Sequence, residues 1–343
     1  MRRRDFLLAA AGGTAALVAG KALVPARALA KGTPDDPFRI YRITYRGRTP
    51  VEEGFDTYMA ANGISVDFIE RDAARDTSKL PGFVEEIREL QPDLVYTWGT
   101  GVTLGAAGKY DADNPSDYIT DIPIVFALVS APVKSGLVPS RENPSRNLTG
   151  AVHVVPTETQ LRAMASYRPF TKLGVLYTPT EPNSVAIVEE LGRLKDRLGF
   201  ELITRTFRIG ADDKPTADGV EELIGEIKAD GAEWLYLLPD TFLGTVYDRV
   251  APAALAEKLP TFGAAELAVR QGGALVALVS RYYSVGQLAA SKAIAILTEN
   301  TAPRDIPIET LSRFSLIINM DIAKQLELYP PIEMLNYAEV ITG

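Results

Sequence analysis

The feature that most constrains this chain is an alternation of short apolar runs with amphipathic stretches, carried through twice. Phe38–Tyr45, Ile64–Glu70, Asp93–Trp98, Ile122–Val129 and Leu148–Val152 read as strands. Leu173–Tyr177, Glu201–Phe207, Trp234–Leu238, Thr261–Gly263 and Ala274–Val279 form a second set of five. Helical patterns separate them, at 50–61, 82–90, Asn183–Leu198, Ala217–Asp230 and Leu243–Lys258. Strands this short and this apolar, each followed by a helix, predict parallel sheets covered on both faces. Two runs of five predict an α/β chain of two similar Rossmann-like lobes.

Local chemistry marks the element ends. Pro50 suits the first turn of a helix, with Thr49 as its cap and Glu52 and Glu53 near its positive end. Asn62-Gly63 closes that helix. Asn183 or Ser184 is expected to cap the helix that runs to Leu198, and Thr100 to cap one over 101–108.

The N-terminus has a different character. Arg2-Arg3-Arg4-Asp5-Phe6 precedes a weakly apolar run to Gly20, and Ala28-Leu29-Ala30 follows. A charged head, an apolar centre and an A-x-A site describe a cleavable export signal over 1–30, and the paired arginines resemble the twin-arginine form. The run is shorter than the ~20 residues a membrane-spanning helix needs. Removing five basic residues and one acid lowers the net charge from −8 to −12. A free, monomeric protein in the periplasm is expected, and nucleic acid is not an expected partner.

Composition closes several routes to catalysis. The 343 residues contain no Cys and one His. Thiol chemistry, disulfides, Cys-based zinc sites and multi-His metal centres are excluded. A Ser-His-Asp triad could use only His153, which is expected to make a structural hydrogen bond. Gly99-Thr100-Gly101 does not match the dinucleotide fingerprint, so no cofactor is expected.

In open parallel sheets, ligands bind beyond the carboxyl ends of the strands. The candidate contacts in the first lobe are therefore Tyr45, Arg46 and Arg48, then Trp98, Gly99 and Thr100, then Ser130. The second lobe offers Asn183 and Ser184, Asp240 and Thr241, and Glu266. Arg281 and Tyr282 follow its last strand; Arg281 is either a ligand contact or the partner of an acid across a hinge. Each residue also has a structural reading, as a cap, a turn former or a solvated charge. Aromatic, hydroxyl and charged groups gathered at these turns are what a small-molecule cleft requires.

A family resemblance emerges from the same segments. Pro92–Thr100, Ile122–Phe126, Ser130–Val138, Asn147–Gly150, Glu181–Ser184, Leu238–Asp240, Tyr282–Gly286 and Ile306–Thr310, in this order, resemble the substrate-binding proteins of ABC importers related to tryptophan/tyrosine-type uptake systems. The resemblance implies a type I periplasmic-binding-protein fold: two lobes joined by three crossovers, with the ligand cleft between them. Lobe one would comprise 38–152 plus 280–310, and lobe two 153–279 plus 311–343. It also implies capture of a small organic ligand by lobe closure, without catalysis, and delivery to an ABC permease and its ATPase. A periplasmic subunit feeding a signalling receptor is the alternative, and an exported Rossmann-type enzyme a more distant one.

Two departures bear on the ligand. Many relatives carry Asp where this chain has Ala131, and Asp before the Tyr-Tyr pair where it has Arg281. With Arg46 and Arg48 nearby, the expected ligand is less cationic than a free amino acid: amino-acid-like, or a carboxylate with an apolar or aromatic body. Trp98, Tyr45 and Tyr282 would stack on that body.

Overall fold

The computed structural model describes residues 31–342; the expected export signal over 1–30 lies outside them. The chain opens with strand β1 (Phe38–Thr44), helix α1 (Pro50–Ala61), β2 (Val66–Asp72), α2 (Leu80–Leu90), β3 (Leu94–Trp98), α3 (Gly99–Ala107), β4 (Ile124–Ala127) and β5 (Leu148–Val152). After α4 (Thr157–Tyr167) the rhythm resumes with β6 (Lys172–Tyr177), α5 (Pro182–Leu198) and β7 (Glu201–Thr206). A ribbon of β8 (Arg208–Ile209) and β9 (Pro215–Thr216) precedes α6 (Val220–Ala229), β10 (Trp234–Leu237), α7 (Tyr247–Ala256), β11 (Thr261–Gly263), α8 (Glu266–Arg270) and β12 (Val276–Val279). The last part holds α9 (Tyr282–Glu299), β13 (Glu309–Thr310), β14 (Ser315–Asn319), α10 (Met320–Leu326), α11 (Ile332–Leu335) and β15 (Glu339–Ile341).

Two sheets result. The first has the order β13-β5-β4-β3-β1-β2 and is parallel throughout. The second has the order β15-β14-β12-β11-β10-β6-β7, with β14 antiparallel to β12. The chain passes from one sheet to the other after β5, after β12 and after β13, so the α/β, two-lobed expectation holds.

Burial explains why the strands lack polar faces. All five residues of β3 are buried. Ile40 and Tyr96 pack on one face with Phe55, Met59 and Val285, from α1 and α9. Tyr41 and Val95 pack on the other with Val84, Ile87 and Val102, from α2 and α3. Period-2 alternation persists, but both phases are apolar because both faces are covered.

The α1 start is as expected: Thr49 Oγ1 accepts from Val51 N at 3.3 Å, and Glu52 accepts from Thr49 N at 2.8 Å. The second carboxylate oxygen of Glu52 accepts from buried Tyr96 OH at 2.6 Å, tying the cap to the core. Four details differ from expectation. Trp98, not Thr100, is the residue before α3, because Gly99 at φ +80° lets the strand turn straight into the helix. Glu181 precedes α5, whose first residue is Pro182, and neither Asn183 nor Ser184 caps it. The helix expected from Leu243 begins at Tyr247, after a tight 3₁₀ turn over Leu243–Thr245. The ribbon β8–β9 and helix α4 were not expected at all; α4 carries buried Leu161, Met164 and Tyr167 on one stripe.

Candidate functional site

The carboxyl ends of the two sets of parallel strands face each other, and a cavity lies between them. Arg46 follows β1, Trp98 ends β3, Leu128 and Ser130 follow β4, and His153 follows β5. Asn183 lies in the first turn of α5, Pro239, Asp240 and Thr241 follow β10, Ala265 follows β11, and Tyr282 opens α9. Gly99, Thr100, Gly244, Tyr247 and Leu267 complete the wall. The free space inside is only about 40 Å³.

Arg46 takes up much of the room. Its guanidinium lies 5.2 Å from the Trp98 ring centre, and Nη1 donates to Gly244 O at 2.9 Å, reaching across from the first sheet's side to the second. A guanidinium has five N–H donors, and this bond uses one of them. Small-molecule pockets usually measure ~300–1,000 Å³, so the space as it stands is too small for a ligand. A ligand enters only if the lobes part or Arg46 swings aside.

Two buried polar atoms at this cavity have no hydrogen-bond partner among the described residues, Trp98 Nε1 and His153 Nδ1. Such orphans are uncommon in protein interiors. Burial holds the His153 pKa down at about 3, so its ring is neutral. The ring meets Tyr282 edge-on at 5.8 Å. The structural hydrogen bond expected of His153 is not made at Nδ1, and the residue instead forms part of the wall.

A second, larger cavity of about 450 Å³ adjoins the first and shares Thr100, Asn183 and Thr241 with it. Tyr45 lines this outer space and stacks on Trp98 at 6.2 Å. Glu181 lines it too, accepting from Thr241 N at 2.8 Å and Phe242 N at 3.0 Å. Burial, helped by the charge of Asp240, raises the Glu181 pKa to about 7.

Four of the expected contacts point elsewhere. Arg48 is half exposed and pairs with Glu70 at 2.9 Å and with Asp56, alongside buried Arg42. Ser184 donates to Asp240 at 2.8 Å, sideways from its helix. Glu266 accepts from Tyr282 N at 2.6 Å, Arg270 Nε at 2.9 Å and Arg281 Nη1 at 3.1 Å. Arg281 also donates to Ser315 Oγ at 2.9 Å and pairs with Glu339, which realises its alternative reading as an ion-pair partner at a crossover. The positive charge expected from Arg48 and Arg281 is therefore neutralised away from the cleft, leaving Arg46.

Asp240 does line the cavity, but its carboxylate is already used. It accepts from Thr178 N at 2.7 Å, Thr178 Oγ1 at 2.9 Å, Ser184 Oγ at 2.8 Å and Leu243 N at 2.8 Å. Asn183 Nδ2 donates to Pro239 O at 3.0 Å. These bonds tie the loop after β6 and the first turn of α5 to the loop after β10; α5 begins at Pro182, so Asn183 and Ser184 fall inside its first turn rather than at the cap. Leu128, Tyr247, Gly244 and Leu267 were not anticipated as wall residues, whereas Pro239 and Ala265 belong to turns that offered candidate contacts. The rule that ligands sit beyond strand ends would also have found Leu128, whereas Tyr247 and Gly244 arrive through the tight turn after Asp240.

Comparison with known proteins agrees with this geometry. The chain is 27% identical over 272 residues to a tyrosine-binding protein of Clostridioides difficile, covering 79% of this chain and 73% of that protein. Its fold superposes with a TM-score of 0.77 on a conserved domain protein of Vibrio cholerae, at 24% identity over 90% of this chain and all of that one. An ABC domain solved with L-Trp from Streptococcus pneumoniae gives a TM-score of 0.74 at 20% identity, over 88% of this chain and all of that one. Sugar-binding proteins of ABC transporters share the same two-lobed type I periplasmic-binding-protein fold. No helix among the described residues is long and apolar enough to cross a membrane. The family model for ABC transporter substrate binding proteins matches residues 47–341, so this chain belongs to that non-enzymatic family and serves an ABC importer as its solute-binding protein.

Proposed function

We propose that the inner cavity captures a small carboxylate with an aromatic body, aromatic amino acids and their deaminated acids being the ligand class. The observation that carries this reading is the pair of unpartnered buried atoms, Trp98 Nε1 and His153 Nδ1, lining with Arg46 an aromatic-walled space. An indole N–H and a guanidinium suit a carboxylate; Trp98, Tyr247 and Tyr282 suit a ring. The relatives that bind tyrosine and tryptophan support the aromatic body. Among the expected contacts, Tyr45, Arg46, Trp98, Gly99, Thr100, Ser130, Asn183, Asp240, Thr241 and Tyr282 remain in this proposal as walls of the joined cavities.

Capture proceeds by closure. The lobes, 38–152 with 280–310 and 153–279 with 311–343, rotate about the three crossovers. Arg46 exchanges part of its contact with Gly244 O for the ligand, and the closed form then docks on the permease in the periplasm after twin-arginine export. Calorimetry of the chain freed of 1–30 tests the ligand class. L-tyrosine, L-tryptophan and indole-3-acetate should bind and tryptamine should not, and Arg46→Ala should weaken acid binding about tenfold or more. Tight tryptamine binding with no acid bound would overturn the assignment.

A further inference from the structure

The inner cavity does not end at the ligand proposed for it. The outer one adjoins it, sharing Thr100, Asn183 and Thr241 as walls, and at about 450 Å³ it has the size of a ligand pocket in its own right. Its walls come from both lobes: Tyr45 and Leu104 on one side, Phe242 and Glu181 on the other. It is also roofed. Lys214, from the ribbon segment of lobe two, reaches Asp76 of lobe one at 3.4 Å. An aromatic wall on each side, Tyr45 and Phe242, suits an apolar group rather than a mere solvent mouth.

We propose that the natural ligand has two parts. The aromatic carboxylate occupies the inner chamber, and a second, mainly apolar group bearing a hydrogen-bond donor occupies the outer one, as in a dipeptide whose C-terminal residue is aromatic. This rests on the inner-chamber reading above. Tyr45 and Phe242 contact the apolar portion. Glu181 takes the donor: each of its carboxylate oxygens accepts one backbone N–H, from Thr241 and from Phe242, Asn183 Nδ2 adds a third bond at 3.3 Å, and a carboxylate's roughly four acceptor positions leave one for the ligand. The Lys214–Asp76 pair closes over the extended end.

Gly101 provides the test. It is the third residue of α3, lines the outer chamber only, and is exposed. A Cβ placed there meets nothing closer than Thr77 Cγ2 at 3.7 Å, an ordinary contact. Gly101→Phe should therefore fold, since a Cβ fits and replacing a helical glycine favours the helix. Binding of L-tyrosine and of leucyl-tyrosine is measured by calorimetry for both proteins. The native chain should bind leucyl-tyrosine at least about tenfold more tightly than L-tyrosine. Gly101→Phe should remove that advantage while leaving L-tyrosine within about twofold. L-tyrosine binding as well as the dipeptide in the native chain, or an advantage that survives Gly101→Phe, overturns the two-part ligand while leaving the inner site standing. Failure of both probes to bind the native chain overturns the inner-chamber reading and this inference with it.

Discussion

Gly286→Ala should destabilise the protein, against the usual preference of a helix for alanine. Gly286 lies in α9, and a Cβ built there falls 1.9 Å from Val51 O and 2.9 Å from Phe55 N of α1. The contact is reciprocal, since a Cβ on Gly54 of α1 falls 1.9 Å from Tyr283 O of α9. Ordinary contact begins at 3.4 Å, so the helix backbones must part by about 1.5 Å. Backbone on both sides cannot rotate out of the way as a side chain would. Overpacking of this kind costs ~1–3 kcal/mol, and rigid neighbours place it at the upper end. The gain in helix propensity is about 1 kcal/mol in the opposite direction. The net expectation is a loss of about 2 kcal/mol, or a fall in Tm of roughly 3 °C for a chain of this length. Thermal melts followed by circular dichroism measure it. Gly192→Ala in α5 is the control: nothing lies within 4 Å of its Cβ, so the same exchange should raise Tm slightly. Because Tyr282 opens α9, Gly286→Ala should also weaken ligand binding. A Tm that stays level or rises, as for Gly192→Ala, would refute the close-packing argument.

Trp98→Phe should separate binding from stability. Its Nε1 serves no partner among the described residues, so the substitution should cost about 1 kcal/mol of stability or less while lowering affinity for an aromatic acid about tenfold. Comparable losses in both measurements would mean that the indole is only packing. The pH dependence of stability should carry two opposed contributions. His153 is neutral when folded, its pKa lowered from 6.5 to about 3, so the unfolded chain binds its proton first. That contribution is complete above pH 6.5 and is lost as pH falls toward 3. Glu181 is raised from 4.5 to about 7, so its folded form holds a proton longer, and stability is lost as pH rises from 4.5 to 7. His153→Gln should flatten the acid side and Glu181→Gln the neutral side of a stability profile from melts at successive pH values. Profiles unchanged by either substitution would contradict these protonation states.

Much of the architecture follows from short-range pattern. Trp234–Leu238 and Asp93–Trp98 are apolar enough to be recognised as strands buried on both faces, and Thr49 with Glu52 announces the start of α1 before any fold is known. The rule that strand ends bind ligands brought Arg46, Trp98, Asn183 and Asp240 to one place. Local pattern failed where a polar side chain had competing partners. Ser184 and Asn183 are good capping residues, yet the helix already starts at Pro182, and their side-chain donors turn instead to Asp240 and Pro239 O, 56 residues away. The α8 carboxylate of Glu266 serves the first N–H of α9, 16 residues on.

Residue order along the chain thus determined the alternation of elements, the two sheets' strands and the turns that hold chemistry. Only the tertiary structure decided which member of each turn looks inward. Arg46 and Arg48 are two residues apart and chemically identical. One reaches Gly244 O across 198 positions of sequence; the other is held outside by Glu70 and Asp56. Local conformational preference is set by a residue and its near neighbours, whereas the direction of a long charged side chain is set by whichever opposite dipole or charge the fold brings within reach. Nothing in a seven-residue window contains that partner.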